Sequence, residues 1–134
     1  NSQIFGRQQI YNLQDQAEAE EENLLINSTD ISFDHLWDLA SSYGGVMIPA
    51  HIDKNANSLI ANLGFVPPDS RFVTAEVKDL KNLHRLKKEN PYLETCKIIS
   101  NSDAHYLEDI HEPELTIQVS EKSIQGVLEA LGTR

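Results

Sequence analysis

Two kinds of hydrophobic pattern alternate along most of this chain. Residues 33–43 carry apolar side chains at helical intervals after Ser32, which predicts an amphipathic helix with that serine as its N-cap. Residues 46–48 are Val-Met-Ile with no polar alternation, as is typical of a strand buried on both faces. Further helices or turns are predicted at 57–62, 80–93 and 106–110, and further strands at 72–77, 97–100 and 115–119.

The order of these elements predicts an α/β fold. A final helix is expected from Ser120 or Ser123 through Leu131. Strands that alternate with helices indicate a parallel sheet with right-handed crossovers. Four strands are few for a closed barrel, so the chain is either a small open sheet or part of a barrel. Both architectures bind ligands at the carboxyl ends of their strands.

The beginning of the chain has a different character. Residues 1–12 are Gln-rich without a clear period and are expected to form a loop or an extended segment. Residues 14–27 are acidic almost all round and favour a solvated helix. We expect residues 1–134 to form a single domain, with 1–27 as a leading segment and acidic helix and 28–134 as the βα units.

Composition narrows the possible partners. The 134 residues carry a formal net charge of −10, with 21 acidic and 11 basic side chains, which argues against nucleic-acid binding. An acidic protein can still act on a phosphorylated compound if metal ions supply the positive charge. No apolar run approaches the roughly 20 residues that span a bilayer. Cys96 is the single cysteine, which fits a reducing compartment and predicts a cytoplasmic protein.

Candidate chemistry lies where two predicted strands end. Asp103 and His105 follow strand 97–100, and in an extended chain side chains two positions apart point the same way. His51 follows the strand at 46–48. Because the carboxyl ends of parallel strands meet at one edge, we expect these three side chains to face a common site. Histidine and aspartate together suit Zn, Mn or Fe, and the sequence therefore predicts a divalent metal site.

Three neighbouring residues have two interpretations each. Asp53 follows His51 by two positions and either supports the metal ligands or caps a loop or helix. Lys54 either contacts a substrate phosphate or extends into solvent. Glu76 lies in the otherwise apolar strand 72–77, and a buried carboxylate needs a partner. It lies either at the strand rim near the metals or on a solvent-facing sheet edge.

The candidate site residues lie within segments that resemble the PHP family (polymerase and histidinol phosphatase domain). The segments are GVMIPAHID at 45–53, LGFVP at 63–67 and SDAHYLEDI at 102–110, with IFGRQQ at 4–9 and EEENLL at 20–25. The resemblance implies a distorted (βα)7 barrel, with a two- or three-metal centre that hydrolyses phosphoesters. It implies that His51, Asp103 and His105 bind metal and take part in catalysis.

The family's first motifs have no counterpart in this sequence. Its N-terminal His-x-His pair, the following Asp-His and the strand Glu that bridges metals are missing, and residues 1–12 contain no histidine. The resemblance therefore implies the C-terminal half of such a domain, with about four parallel strands and an incomplete centre. Such a fragment is expected to self-associate through its exposed barrel edge and, with its ligands completed, to act on a small phosphorylated substrate.

Two other functions are compatible with the same residues. One is a catalytically inactive α/β module that serves interactions, with Asp103 and His105 held in hydrogen bonds. The other is a barrel hydrolase that acts on a C–N bond with a similar set of His and Asp ligands. Metal analysis tests the first alternative, and a panel of phosphoesters and amides tests the second.

Overall fold

The computed structural model describes residues 2–113 and 115–133. The chain divides into two compact units, Asn1–Ser32 and Phe33–Arg134. Each unit has its own two-stranded sheet. The candidate site residues all belong to the second unit.

The first unit is a short helix followed by a β-hairpin. Helix α1 (Ser2–Phe5) precedes strands β1 (Gln9–Tyr11) and β2 (Ala17–Glu20), which pair antiparallel. The prediction of an acidic helix over 14–27 is therefore wrong. The Ala-Glu-Ala-Glu run has good helix propensity, yet it also alternates with the two-residue period of a strand.

The turn between β1 and β2 explains why the hairpin forms. The side-chain oxygen of Asn12 accepts hydrogen bonds from the amides of Gln14 (2.9 Å) and Gln16 (3.0 Å). Asp15 has a φ of 57°, a conformation that Asp tolerates better than most residues. These local bonds close the chain on itself and place residues 17–20 beside β1.

The second unit contains the predicted succession of helices and strands in shortened form. Strands β3 and β4 are parallel, with Thr74 opposite Lys97 and Glu76 opposite Ile99. Short 3-10 turns precede and follow the fourth helix and also follow the candidate Asp103 loop. The elements are α2 (Phe33–Ser42), α3 (Leu59–Leu63), β3 (Thr74–Glu76), α4 (Leu83–Glu89), β4 (Lys97–Ile99) and α5 (Ile124–Gly132), with 3-10 turns at Leu80–Asn82, Pro91–Thr95 and Leu107–Asp109.

The helix boundaries follow the capping signals in the sequence. Helix α2 ends before Gly44, whose φ of 69° lets the chain turn away. The hydroxyl of Ser58 accepts from the amide of Ala61 at the start of α3. Ser123, one of the two predicted candidates, caps α5 in the same way. The predicted helices at 33–43 and 57–62 and the final helix are therefore confirmed, with ends shifted by a few residues at most.

The predicted partial (βα)7 barrel with four parallel strands is wrong. In the part of the chain that the structure describes, the parallel sheet has two strands, β3 and β4, and the other sheet is the antiparallel hairpin. Residues 46–48 and the described residues of 115–119 do not form ladder strands. The apolar patterns give local extended structure, but the ladder hydrogen bonds of further parallel strands do not form. The barrel edge expected to mediate self-association is accordingly missing from the described fold.

The segment after residues 46–48 forms hydrogen bonds with one residue of β3, Glu76. The carbonyl of Pro49 accepts from the amide of Glu76 (3.0 Å), and the amide of Ile52 donates to the carbonyl of Glu76 (2.9 Å). A regular parallel ladder would use partners two residues apart, whereas these are three apart. His51 is within this irregular step and has a φ of 31°. The irregularity ends the pairing and places His51 at the end of β3.

The core of the second unit lies against β3. Phe72 is 1% exposed, and its ring meets those of Phe33 (6.3 Å) and Tyr92 (5.1 Å) edge to face. The buried hydroxyl of Thr74 donates to the carbonyl of Leu131 (2.7 Å), which ties α5 to the sheet. The core thus fixes the two strands whose carboxyl ends present the candidate site. Its buried apolar members are Ile52, Val66, Phe72, Ala75, Val77, Leu86, Leu93 and Cys96.

The helices are short. Helix α2, with 10 residues, is the longest in the described ranges. About 20 apolar residues are needed to cross a bilayer. No described helix is both long and apolar enough to do so.

Candidate functional site

Two loops meet beyond the carboxyl ends of β3 and β4. The amide of Val77 donates to the carbonyl of Ile99 (2.9 Å), which extends the pairing of the strands toward the loops. Beyond this bond, the ammonium Nζ of Lys54 lies 2.8 Å from Oδ2 of Asp103. The ion pair joins the loop that contains His51 to the loop that follows β4. The loops that contain His51 and Asp103, two of the predicted metal ligands, therefore lie side by side.

The backbone at Asp103 differs from the extended form assumed in the sequence prediction. Asp103 has a φ of 54°, in the left-handed region. The chain turns there, so Asp103 and His105 do not project in parallel as they would from a strand. Instead Nδ1 of the exposed His105 donates to the carbonyl oxygen of Asp103 at 2.8 Å. This bond leaves the Nε2 atom of His105 for any ligand.

His51 presents an unusual ring nitrogen. Its Nδ1 is buried and has no hydrogen-bond partner among the described residues. Burying a polar atom without a partner costs about 1–3 kcal/mol. His51 also takes a positive φ of 31°, and such backbone strain occurs preferentially at functional sites. No described hydrogen bond offsets the energetic cost of burying this nitrogen.

The charge of Asp103 depends on its neighbours. The hydrogen bond from Lys54 holds the pKa of Asp103 below its ordinary value, while partial burial opposes the shift. The charges of Lys54, His51 and His105 lower the pKa of Asp103 further. Both histidines are therefore near enough to act on Asp103 electrostatically. Asp103 is thus the carboxylate on which the charges of Lys54, His51 and His105 act.

A pH dependence follows from the lowered pKa of Asp103. A depressed folded-state pKa contributes stability that is present above the unfolded value of about 3.9 and is lost as the pH falls through the folded value. We expect the stability difference between the wild type and Asp103→Asn to stay constant from pH 7 to 5 and to shrink below about pH 4. Urea unfolding in chelator-containing buffers measures it, with Asp109→Asn, in the exposed 3-10 turn, as the control. A difference that grows on acidification would contradict the ion pair.

Lys78 is a further charged residue at the site, which the sequence reasoning did not single out. Its ammonium group donates to the carbonyl of Ser102, directly before Asp103. Lys78 follows β3 by two residues, so its place just past a strand's carboxyl end could have been used to identify it. With Lys54, it brings a second positive charge to the loop after β4. Two ammonium groups therefore lie at this corner, beside the carboxylates of Asp53 and Asp103.

Asp53 binds backbone rather than a predicted ligand. Its Oδ1 accepts from the amide of Lys78 (2.7 Å), and its Oδ2 accepts from the amide of Asp79 (2.9 Å). The carboxylate thus caps the segment that leaves β3, the second of the two roles expected for it. By fixing the backbone of Lys78, Asp53 also helps to position that ammonium group.

Glu76 is the last residue of β3 and its side chain is half-buried. The backbone of Glu76 makes the two bonds to Pro49 and Ile52, but its carboxylate makes no hydrogen bond or ion pair to a described residue. It lies at the carboxyl rim of the strand, as one of its two interpretations requires. Among the described residues, no hydrogen bond or ion pair joins its carboxylate to His51 or Asp103.

The site has suitable donor atoms for a metal but does not bring them together as a cluster. Within residues 2–113 and 115–133, no three His, Cys, Asp or Glu side chains are close enough together to hold a metal ion. The donor types nevertheless fit, because an unpartnered imidazole nitrogen, a carboxylate and an exposed imidazole suit Zn, Mn or Fe. The ammonium of Lys54 contacts Oδ2 of Asp103 and would compete with a cation for that oxygen.

Comparisons with protein-family models, with curated proteins and with solved structures found no match to this chain. The resemblance to the PHP family therefore depends on the segments quoted above.

Proposed function

We propose that this chain carries part of a metal-dependent phosphoesterase centre of the PHP type. His51, Asp103 and His105 are its metal ligands, and Lys54 contacts the substrate phosphate. The observation that carries the proposal is the buried Nδ1 of His51, which has no hydrogen-bond partner among the described residues and lies in a loop joined by an ion pair to Asp103. The proposal concerns the site and its chemistry, and it does not depend on the barrel.

The chemistry divides between a bound metal and the chain. A divalent metal lowers the pKa of a bound water toward about 7 and neutralises phosphoryl oxygens. His51 offers Nδ1, Asp103 its carboxylate and His105 its free Nε2. Lys54 and Lys78 place two ammonium groups where the oxygens of a phosphate ester need positive charge.

Three ligands are too few for the two or three metals implied by the resemblance. The remaining ligands must come from side chains outside the cluster at His51, Asp103 and His105. Glu76, the last residue of β3, is one candidate, because its carboxylate has no hydrogen-bond or ion-pair partner among the described residues. The single Cys96 is buried, which agrees with chemistry in a reducing compartment such as the cytoplasm.

A substrate panel tests the proposal against its alternatives. The protein is stripped with a chelator and reloaded separately with Mn²⁺, Zn²⁺ and Fe²⁺. We expect metal-dependent hydrolysis of p-nitrophenyl phosphate or bis(p-nitrophenyl) phosphate and none of p-nitroacetanilide. Cleavage of the anilide alone would indicate the C–N hydrolase. Metal binding with no hydrolysis of a phosphoester would contradict the enzymatic part of the proposal. A protein that binds none of the three metals would favour the interaction module.

A further inference from the structure

Lys54 and Asp103 form the ion pair that joins the two loops of the candidate site. Its two atoms lie 2.8 Å apart, and the side chains are only 38% and 21% exposed. Shielding from water makes such a charge-assisted bond stronger than a surface ion pair. Asp103 is the residue on which both histidines act electrostatically. Lys54 therefore neutralises the carboxylate that the proposed centre needs most.

An ammonium group and a divalent cation compete for the same carboxylate oxygen. Both are attracted by the negative charge, and the Nζ of Lys54 stands within hydrogen-bond distance of Oδ2. A metal that binds Asp103 has to displace the ammonium or share the carboxylate with it at close range. Two cations on one carboxylate repel each other, so metal binding favours the release of the lysine.

We propose that Lys54 is a built-in competitor for the metal at Asp103, which metal binding releases toward the substrate phosphate. The inference depends on the proposed function, since it assumes that Asp103 is a metal ligand. In the metal-free protein Lys54 donates to the carboxylate of Asp103 and this ion pair joins the two loops. In the loaded protein its charge becomes available to a phosphoryl oxygen. Metal and phosphate then bind cooperatively, because each favours the conformation in which the ion pair is open.

Lys78 provides a matched control for this role. It has the same charge and lies at the same loop, but its ammonium group donates to the carbonyl of Ser102 rather than to a carboxylate. Removing either lysine changes the overall charge near Asp103 by the same amount. Only the removal of Lys54 also frees an oxygen of Asp103.

The test measures Mn²⁺ affinity by calorimetry on chelator-treated protein. Lys54→Met should bind Mn²⁺ about five- to tenfold more tightly than the wild type, the range expected for losing a partly shielded ion pair. Lys78→Met should stay within about twofold of the wild type. Inorganic phosphate should bind the Mn²⁺-loaded wild type more tightly than the loaded Lys54→Met protein. Neither readout requires catalysis.

The outcomes separate the inference from the proposed function. If Asp103→Ala abolishes Mn²⁺ binding while Lys54→Met leaves the affinity unchanged or weaker, Asp103 stays a ligand and the competitor role is wrong. If Asp103→Ala leaves Mn²⁺ binding intact, the ligand assignment fails and the inference fails with it. NMR of the lysine ammonium groups in the wild type checks the same point without a variant. Zn²⁺ should move the Lys54 signal, and an unmoved signal would overturn the proposal.

Discussion

Replacing Phe72 with alanine should lower the free energy of unfolding of residues 33–134 by about 3–5 kcal/mol, the usual cost of removing a buried phenyl ring. Phe72 is 1% exposed and lies between the rings of Phe33 and Tyr92. The cavity left behind would remove contacts from both neighbours. Because domains of this size are stable by about 5–15 kcal/mol, the variant should be largely unfolded under mild denaturing conditions.

Urea unfolding followed by circular dichroism measures this effect. Phe65→Ala is the matched control, because Phe65 belongs to the same unit but is 53% exposed. The control should lose no more than about 1 kcal/mol. Equal losses for the two variants would show that Phe72 is not at the centre of the core. They would also remove the physical basis for the position of β3 and of the loops beyond it.

Replacing His51 with alanine should weaken Mn²⁺ binding by at least about 100-fold. Mutating a residue that hydrogen-bonds to a metal ligand typically lowers metal affinity about 10–100-fold, and removing a direct ligand should lower it further. The same change deletes a buried nitrogen that has no hydrogen-bond partner among the described residues. The free energy of unfolding in the metal-free protein should therefore fall by no more than about 1 kcal/mol. A large loss of affinity with little loss of stability distinguishes a ligand from a structural histidine.

His84→Ala is the control for this substitution. His84 lies on α4 with an exposed side chain, so its loss removes a histidine without touching the strand-end loops. Its Mn²⁺ affinity should equal that of the wild type. If His51→Ala instead kept the wild-type affinity and lost several kcal/mol of stability, His51 would have a structural role and the site would lose its best ligand.

The local elements could be predicted from the sequence because their signals are local. Helix α2 follows from apolar spacing and the glycines after it, and α5 follows from Ser123. The hairpin strand β2 was mistaken for a helix because its alanines and glutamates favour helices. The turn at Asn12 and Asp15 favours the hairpin over a helix, through side-chain hydrogen bonds that composition does not reveal.

The sheet could not be predicted in the same way. The apolar run at 46–48 is compatible with a ladder strand, but its pairing depends on hydrogen bonds to a distant segment. That pairing ends after one step because of the backbone conformation at His51. The barrel follows only from the resemblance and from the count of candidate strands, and neither of these specifies long-range pairing.

The meeting of the two strand-end loops could be predicted from the sequence, whereas the contacts within them could not. The rule that parallel strands present ligands at their carboxyl ends identified His51 and Asp103, and the structure brings their loops together. The partner of Lys54 could not be foreseen, because it depends on the left-handed backbone of Asp103. The same turn directs His105 to a backbone carbonyl, which an extended chain would not do.

Titration of Mn²⁺ into chelator-treated protein is the most direct test of the proposed centre. The account predicts binding by the wild type and by His84→Ala, and its loss in both His51→Ala and Asp103→Ala. Binding that is equal in all four proteins, or absent from the wild type, would contradict the assignment of His51 and Asp103 as metal ligands.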